Sequence, residues 1–533
     1  MRSAGPVFIS ASLFWIVFTF LSSGSFAEER TVSLPEALLE TLNEHPGVQI
    51  ERERVIQSEG ELQTASGQFD WTASASVSKE QYREHFTQDQ EEEGQLAGLF
   101  FNRVVTESRR EEISYYSVGI QKQFRNGTVL APNLTVLDTE DLSRDIENLN
   151  RSEMGVDITI PLMRGLGEHA TGAEERAARS NLSANRQLSR HNISRRILVS
   201  ANTYWSCLAA VESLDILKDM ESRAEELFGL VGRLVRVGEM EPAVLREAEA
   251  QLLQRKGDLQ ESRLQAEEAR QALAVSMGYS PEDLVDAPLP EGPFPPVVND
   301  WAFDRELSRA YIDQALNNRG DYLAATIGIE TEEILMGRAE NRIKPRLDLG
   351  LSVGVSGLSE EEDAGRYYKS LYHDHAGPNA FASLTFEWPI ANNAAKGEYV
   401  RRRSLVNEAR LTSRDLSNNI ASEVLVSVER IRSASREYRL AASSVEGYRD
   451  AADHEHYKVR EGLSDLGDLI SAEDRYLSAR ARQVEVTRRY ASALAEVRFV
   501  TGSLLTEEEE GYRFKVKHLM VPPVLFEPKA VKE

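Results

Sequence analysis

The residues that could do chemistry are few and scattered. Gly350-Leu-Ser352-Val-Gly354 spells the G-x-S-x-G of a hydrolase nucleophile elbow. That motif needs a sharp strand-to-helix turn with the serine at its apex. Here Leu347, Leu349, Leu351, Val353 and Val355 alternate with Asp348, Gly350, Ser352, Gly354 and Ser356. Period two places Ser352 on the polar face of a strand, so no nucleophile is expected. His373-Asp-His375 and His454-Glu-His456 each offer two imidazoles without a third defined ligand, too little for a metal centre. The single cysteine, Cys207, excludes an internal disulfide and a multi-cysteine metal site. Its setting, Trp205-Ser-Cys207-Leu-Ala-Ala, reads as a small buried side chain in a helix. Asp465 and Asp468 open a helical stretch, where carboxylates cap backbone N–H groups and suit the positive end of the helix dipole. No phosphate-binding glycine loop precedes a helix and no zincin motif occurs. The reading is therefore not an enzyme, with no cofactor and no metal. A net charge of −24 disfavours a nucleic-acid partner.

What positions these residues is a duplication. Gly238-Glu-Met-Glu-Pro-Ala-Val-Leu-Arg-Glu-Ala-Glu returns 224 residues later as Gly462-Leu-Ser-Asp-Leu-Gly-Asp-Leu-Ile-Ser-Ala-Glu. At that offset Arg236 falls on Arg460, Leu245 on Leu469, Ala248 on Ala472, Glu249 on Glu473, Leu253 on Leu477 and Gly278 on Gly502. A glycine opens each copy and another closes it, the punctuation of a helix entered by a turn. The chain thus reads as two structural repeats, 28–279 and 301–503. Between them lies a linker, 280–300, holding six of the chain's eighteen prolines, and a tail follows at 504–533.

Arg2, the apolar run Val7–Leu21 and the small residues Ser25 and Ala27 form a secretory signal, 1–27. Beyond it no uncharged apolar stretch is long enough for a membrane helix. Each repeat opens with two helical pieces broken by a turn: Leu34–Leu42 and Val48–Ser66, then Ala310–Leu316 and Tyr322–Ile343. Alternating runs follow, predicting strands near 69–82, 113–138 and 153–161 in the first repeat and 346–356 and 380–389 in the second. The 113–138 segment, with the turn signal Asn126-Gly127, is an extra strand pair; Pro132 weakens its second strand. Proline-free stretches come next, with Ile197, Ala201, Tyr204, Leu208 and Val211 on a heptad seam. A helix over Thr171–Val235 would reach about 95 Å. The shorter helices flanking each strand group would together match it, stacked end to end as its antiparallel partner.

The strands carry apolar residues on one face and Ser, Thr or Gly on the other. So small a sheet cannot close by itself. Several chains assembling into a barrel would remove its edges, apolar side toward lipid and polar side toward water. An exported protein with barrel strands points to a bacterial outer membrane. The alternatives are a soluble periplasmic coiled-coil or adaptor protein and a serine hydrolase resting on Ser352. An adaptor needs only one helical hairpin, whereas this chain has two.

Several motifs sharpen this: Glu36-Ala-Leu with Asn43-Glu-His-Pro46, Val156–Ile160 with Pro161-Leu-Met-Arg-Gly165, Asn202-Thr-Tyr204-Trp205-Ser-Cys-Leu208, and Asn318-Arg319-Gly-Asp321. In combination they resemble the TolC family of outer-membrane efflux channels over nearly the whole mature length. The family's Ala-Tyr-Trp has Thr here for Ala, and its Arg-Pro-Asp has Gly for Pro. The resemblance implies a mainly α fold with membrane β: a homotrimer whose twelve-stranded β-barrel joins a coiled-coil, α-helical periplasmic tunnel. It implies an exit duct of a tripartite efflux or type I secretion system, exporting small molecules or polypeptides through docking to a periplasmic adaptor and an inner-membrane pump. The tips at Gly238 and Gly462 correspond to its hairpins for adaptor docking. Asp468 matches the first aspartate of its periplasmic gate, with Asp465 nearby; Ser471 replaces the second. The 113–138 pair is either an extracellular hairpin or an addition that makes the barrel eighteen-stranded; on family grounds the hairpin is expected.

Overall fold

Glycine and proline punctuate the chain, and long helices fill the intervals. The computed structural model describes residues 30–85, 87–89, 108–141, 149–298, 305–360, 365–372, 377–461, 463–508, 511–513 and 519–520. The signal at 1–27, His373-Asp-His375, Gly462 and much of the tail lie outside the described residues.

The first half runs β1 (Thr31–Ser33), α1 (Leu34–Glu44) and α2 (Pro46–Ser66), then β2 (Trp71–His85), β3 (Ser108–Gln123), β4 (Val129–Asp141) and β5 (Leu149–Pro161). A short α3 (Glu168–Thr171) leads into α4 (Ala173–Val237) and α5 (Pro242–Met277). In the linker, β6 (Leu289–Glu291) pairs in parallel with β1. The second half runs α6 (Arg305–Asn318), α7 (Gly320–Ile343), β7 (Arg346–Ser359), α8 (Arg366–Tyr372), β8 (Gly377–Glu387), α9 (Asn393–Arg460) and α10 (Leu466–Val500). The antiparallel pair β9 (Thr506–Glu508) and β10 (Gly511–Arg513) ends the described chain's strands.

The helix boundaries have local causes. A capping box between Ser33 and Glu36 starts α1. Pro46 cannot extend α1, and His45 takes an extended backbone whose Nδ1 accepts the Gly47 N–H at 2.8 Å, starting α2. At the other end, Gly278 (φ +97°) caps α5 and abuts that break: a Cβ there would stand 2.6 Å from the His45 Cα. The second half repeats the device. Gly502 (φ +67°), just past α10, abuts the α6–α7 break, where a Cβ would stand 2.7 Å from the Asn318 carbonyl carbon. Hence α2 and α5 continue each other end to end beside α4, and α7 and α10 do the same beside α9. The 65 residues of α4 make a rod about 97 Å long.

The main core sits where these ends meet. Ile197, Ala201, Tyr204 and Leu208 of the heptad seam are buried there with Trp205, against Leu38, Tyr311, Ile420 and Val424. Phe294 of the linker stacks on Trp205 at 5.6 Å, strapping the halves together. Cys207 is fully buried in the same cluster, and burial pushes its thiol up to about 12.

The strands depart from the expectation. They form one antiparallel sheet of six, in the order β2-β3-β4-β5-β7-β8. The extra pair is not an extracellular hairpin. Its turn lies at the helical end of the sheet, where the Gly167 N–H donates to the Asn126 carbonyl at 3.0 Å. Arg125 there holds Glu175 of α4 through two hydrogen bonds of 2.8 and 2.9 Å. Family pattern misplaced this segment; the alternation on both sides of Asn126-Gly127 described it better. Nor are the repeats symmetric, since the first supplies four strands and the second two. Pro132 is tolerated because the β3–β4 register skips it, passing from Gly119↔Asn133 to Lys122↔Leu130.

Candidate functional site

The strand register sorts the sheet into two faces. Trp71, Ile120, Val118, Leu134, Val156, Met154, Val353, Leu351, Leu384 and Phe386 share one of them. Val77 and Val353 on it are 72% and 63% exposed, an apolar surface that water would not leave uncovered. Trp71 and Trp388 stand at its helical margin, and the Lys122 ammonium lies 5.1 Å from the Trp71 ring centroid. Aromatic rings beside a cation suit the boundary between lipid and water. The opposite face carries Thr72, Ser74, Ser76, Ser117, Asn133, Thr135, Asp157, Ser352 and Ser383, with Phe381 bulky among them and Tyr115, Leu137 and Leu358 farther from the helices. Ser352 sits mid-strand in β7 opposite Asp157 and Phe381, so it has no nucleophile elbow around it.

Below the sheet, Asn318-Arg319-Gly320-Asp321 ties the helices together. Arg319, 3% exposed, donates two hydrogen bonds to Asp321 at 2.7 and 3.1 Å and one to Glu423 of α9 at 2.5 Å. Burial opposes the charge on both Arg319 and Asp321, but their mutual hydrogen bonds win: Arg319 is held above and Asp321 below its ordinary range. Arg190 of α4 donates to the Asn318 carbonyl, and Arg319 lies over the Phe499 ring at 5.9 Å. The sequence showed this motif as a break between helices and as part of the family resemblance. Its role as an ion-pair knot was missed because its partners lie on α4, α9 and α10.

His191 of α4 completes the knot, its Nδ1 3.5 Å from Asp321. Burial pushes it down to about 4, with Arg319 and Arg195 acting in the same direction and Asp321 and Glu423 against it. The folded state therefore holds His191 neutral where an unfolded chain would begin to protonate it near 6.5. Its contribution is whole above that pH and is lost as pH falls toward 4, about 2 kcal/mol by pH 5. The thermal midpoint of detergent-solubilised protein should drop between pH 7 and pH 5. His191→Gln should flatten that drop, and an equal drop in the variant would contradict the assignment.

At the far ends of the rods the two hairpins pack side by side. Leu227, Val231 and Ala248 of the first bury against Val459, Leu466 and Leu469 of the second. Gly238 closes α4 in the left-handed region at φ +82°. Asp465 is the N-cap of α10, accepting the Asp468 N–H at 2.9 Å. Asp468 does not cap; it is exposed in the first turn and accepts from Ser464 at 3.4 Å. Glu455 accepts from Lys458 and Ser464, which lower its pKa. The His454-Glu-His456 pair is split: His456 contacts Glu473 at 2.6 Å, while His454 is exposed.

A sheet with one apolar and one polar face is thus carried on two long helical hairpins. Residues 311–503 match the outer membrane efflux protein family. Solved structures of similar fold include the CmeC outer membrane channel of Campylobacter jejuni, at 15% identity and TM-score 0.62, covering 93% of this chain and 94% of that one. The outer-membrane channel OprN has 15% identity and TM-score 0.62, with coverages of 94% and 99%. The open state of the Neisseria gonorrhoeae MtrE outer membrane channel has 16% identity and TM-score 0.60, with 88% of each chain covered. No curated protein matches the chain. The chain shares the fold of these outer-membrane channels, and neither the soluble adaptor nor the hydrolase reading is favoured.

Proposed function

We propose that three copies of this protein form a passive exit duct, spanning the outer membrane as a β-barrel and the periplasm as a helical tunnel. The observation that carries this is the six-stranded sheet with an exposed apolar face and two open edges, β2 and β8. Strand edges and apolar surface are both satisfied by pairing β8 of one copy with β2 of the next in lipid. Energy would come from an inner-membrane pump linked by a periplasmic adaptor, which the hairpin tips at Gly238 and Gly462 would dock. Small molecules or polypeptides are the cargo classes of such a duct. The protein should fractionate with the outer membrane, need detergent for extraction and run as a trimer in mild detergent. Recovery as a soluble periplasmic monomer would overturn the proposal.

The tips would also hold the gate. Threefold symmetry would bring three Asp468 carboxylates toward one axis, whereas Asp465 is engaged by its helix N–H. At a spacing of about 7 Å each pair would repel by roughly 0.6 kcal/mol at ε ≈ 80 and about 2.4 kcal/mol at ε ≈ 20. A closed ring should therefore attract cations. Asp468→Asn should weaken cation selectivity and divalent-cation block in bilayer recordings. Unchanged selectivity and block would move the constriction elsewhere.

A further inference from the structure

The sheet is larger than the family resemblance implies, and its size sets the upper limit on what can leave. Resting on the trimeric duct proposed above, we infer that the exit is an eighteen-stranded barrel, wide enough for a polypeptide in helical form, and that the β3–β4 hairpin sets this width.

Three observations carry the inference. First, β3 and β4 are full members of the wall. β3 pairs with β2 from Trp71↔Lys122 to His85↔Ser108, and β4 pairs with β5 from Val129↔Thr159 to Thr139↔Leu149. β2 leaves the helices and β8 returns to them, so closure from copy to copy is antiparallel, and three sheets of six give eighteen strands.

Second, the perimeters agree. Each chain supplies four rods: α4, α9, the α2–α5 stack and the α7–α10 stack. Twelve rods spaced 8–10 Å apart give a hoop of about 96–120 Å. Strands about 4.8 Å apart and tilted about 40° take roughly 6.3 Å of hoop each. Eighteen then give about 113 Å and twelve only about 75 Å. The larger barrel continues the tunnel wall without narrowing.

Third, the middle of the water-facing side is crossed by a row of small residues, where the lumen is widest. One row across the sheet reads Ser74, Gly119, Asn133, Gly155, Gly354 and Asn379. Gly354 has no room for more, since a Cβ there would lie 2.6 Å from the Met154 carbonyl oxygen. A backbone diameter of about 36 Å less about 4–5 Å of side chain on each side leaves a lumen of roughly 27 Å. A single helix is about 10–12 Å across, so a helical hairpin of cargo fits. The barrel does not filter by size below that limit; selection falls to the periplasmic mouth.

The test uses Ser352→Cys in the full-length protein in intact cells, probed from outside with maleimide-tagged polymers of graded radius. Labelling should persist to a polymer radius of about 12 Å and stop at about 7 Å for a twelve-stranded wall. Replacing residues 86–148 by a short turn brings β2 beside β5 with faces matched, because Trp71, Lys122, Leu130 and Ile158 stand in one row. That deletion should roughly halve the cut-off. If the deletion does not assemble, counting strands in cross-sections of the imaged wild-type trimer decides: eighteen supports the inference and twelve overturns it. A wild-type outer-membrane trimer with a cut-off near 7 Å overturns the width while leaving the duct intact. A soluble or monomeric protein would overturn both.

Discussion

Arg319→Ala is expected to cost about 3–5 kcal/mol and to reduce assembled protein in the membrane sharply. Removing one partner of a buried pair strands the other charge, which is worse than never having had the pair. Here the loss would leave Asp321 largely buried and release Glu423 of α9 from α7. His191, kept neutral in part by Arg319, would then face Asp321 without the competing cation. Arg319→Lys should recover only a fraction, because an ammonium cannot reproduce the two-pronged contact with Asp321. Denaturant midpoints of the detergent-solubilised protein measure this. A shift in the Ala variant no larger than a surface substitution gives, under about 0.5 kcal/mol, would remove the knot from the account.

Gly502→Ala should be nearly as damaging, for a different reason. The left-handed backbone costs a side chain about 1–2 kcal/mol, and the collision with Asn318 and Arg319 backbone adds about 1–3 kcal/mol of overpacking. Gly278→Ala should behave alike, since its Cβ would meet the His45 backbone. Gly238→Ala is the internal control. It has a similar φ but nothing within 4 Å, so only the backbone term of about 1–2 kcal/mol remains. Equal effects at Gly238 and Gly502 would show that the end-to-end junctions do not bear on the glycines.

These junctions also explain what sequence alone could tell. The duplication, the long rods and the glycine stops were legible because each follows from residues close in the chain: heptad spacing at Ile197–Leu208, the left-handed caps at Gly238 and Gly278. Strand faces were legible from alternation at Trp71–Val77 and Leu347–Val355. The knot at Arg319 was not, because its worth depends on His191 and Glu423, each more than a hundred residues away. The β3–β4 hairpin was visible as a hairpin but misplaced. Alternation says that a strand exists, whereas which strands flank it depends on contacts such as Arg125 with Glu175. At the tip, the first turn of α10 was legible, but only the geometry separates Asp465, which caps, from Asp468, which does not.

The central claim is that the protein is a water-filled passage needing no energy of its own. Purified trimer reconstituted into planar bilayers, without nucleotide, pump or adaptor, tests it most directly. The account predicts discrete, long-lived conductance steps that favour cations. Tight trimers that insert and carry no current at any voltage would contradict it.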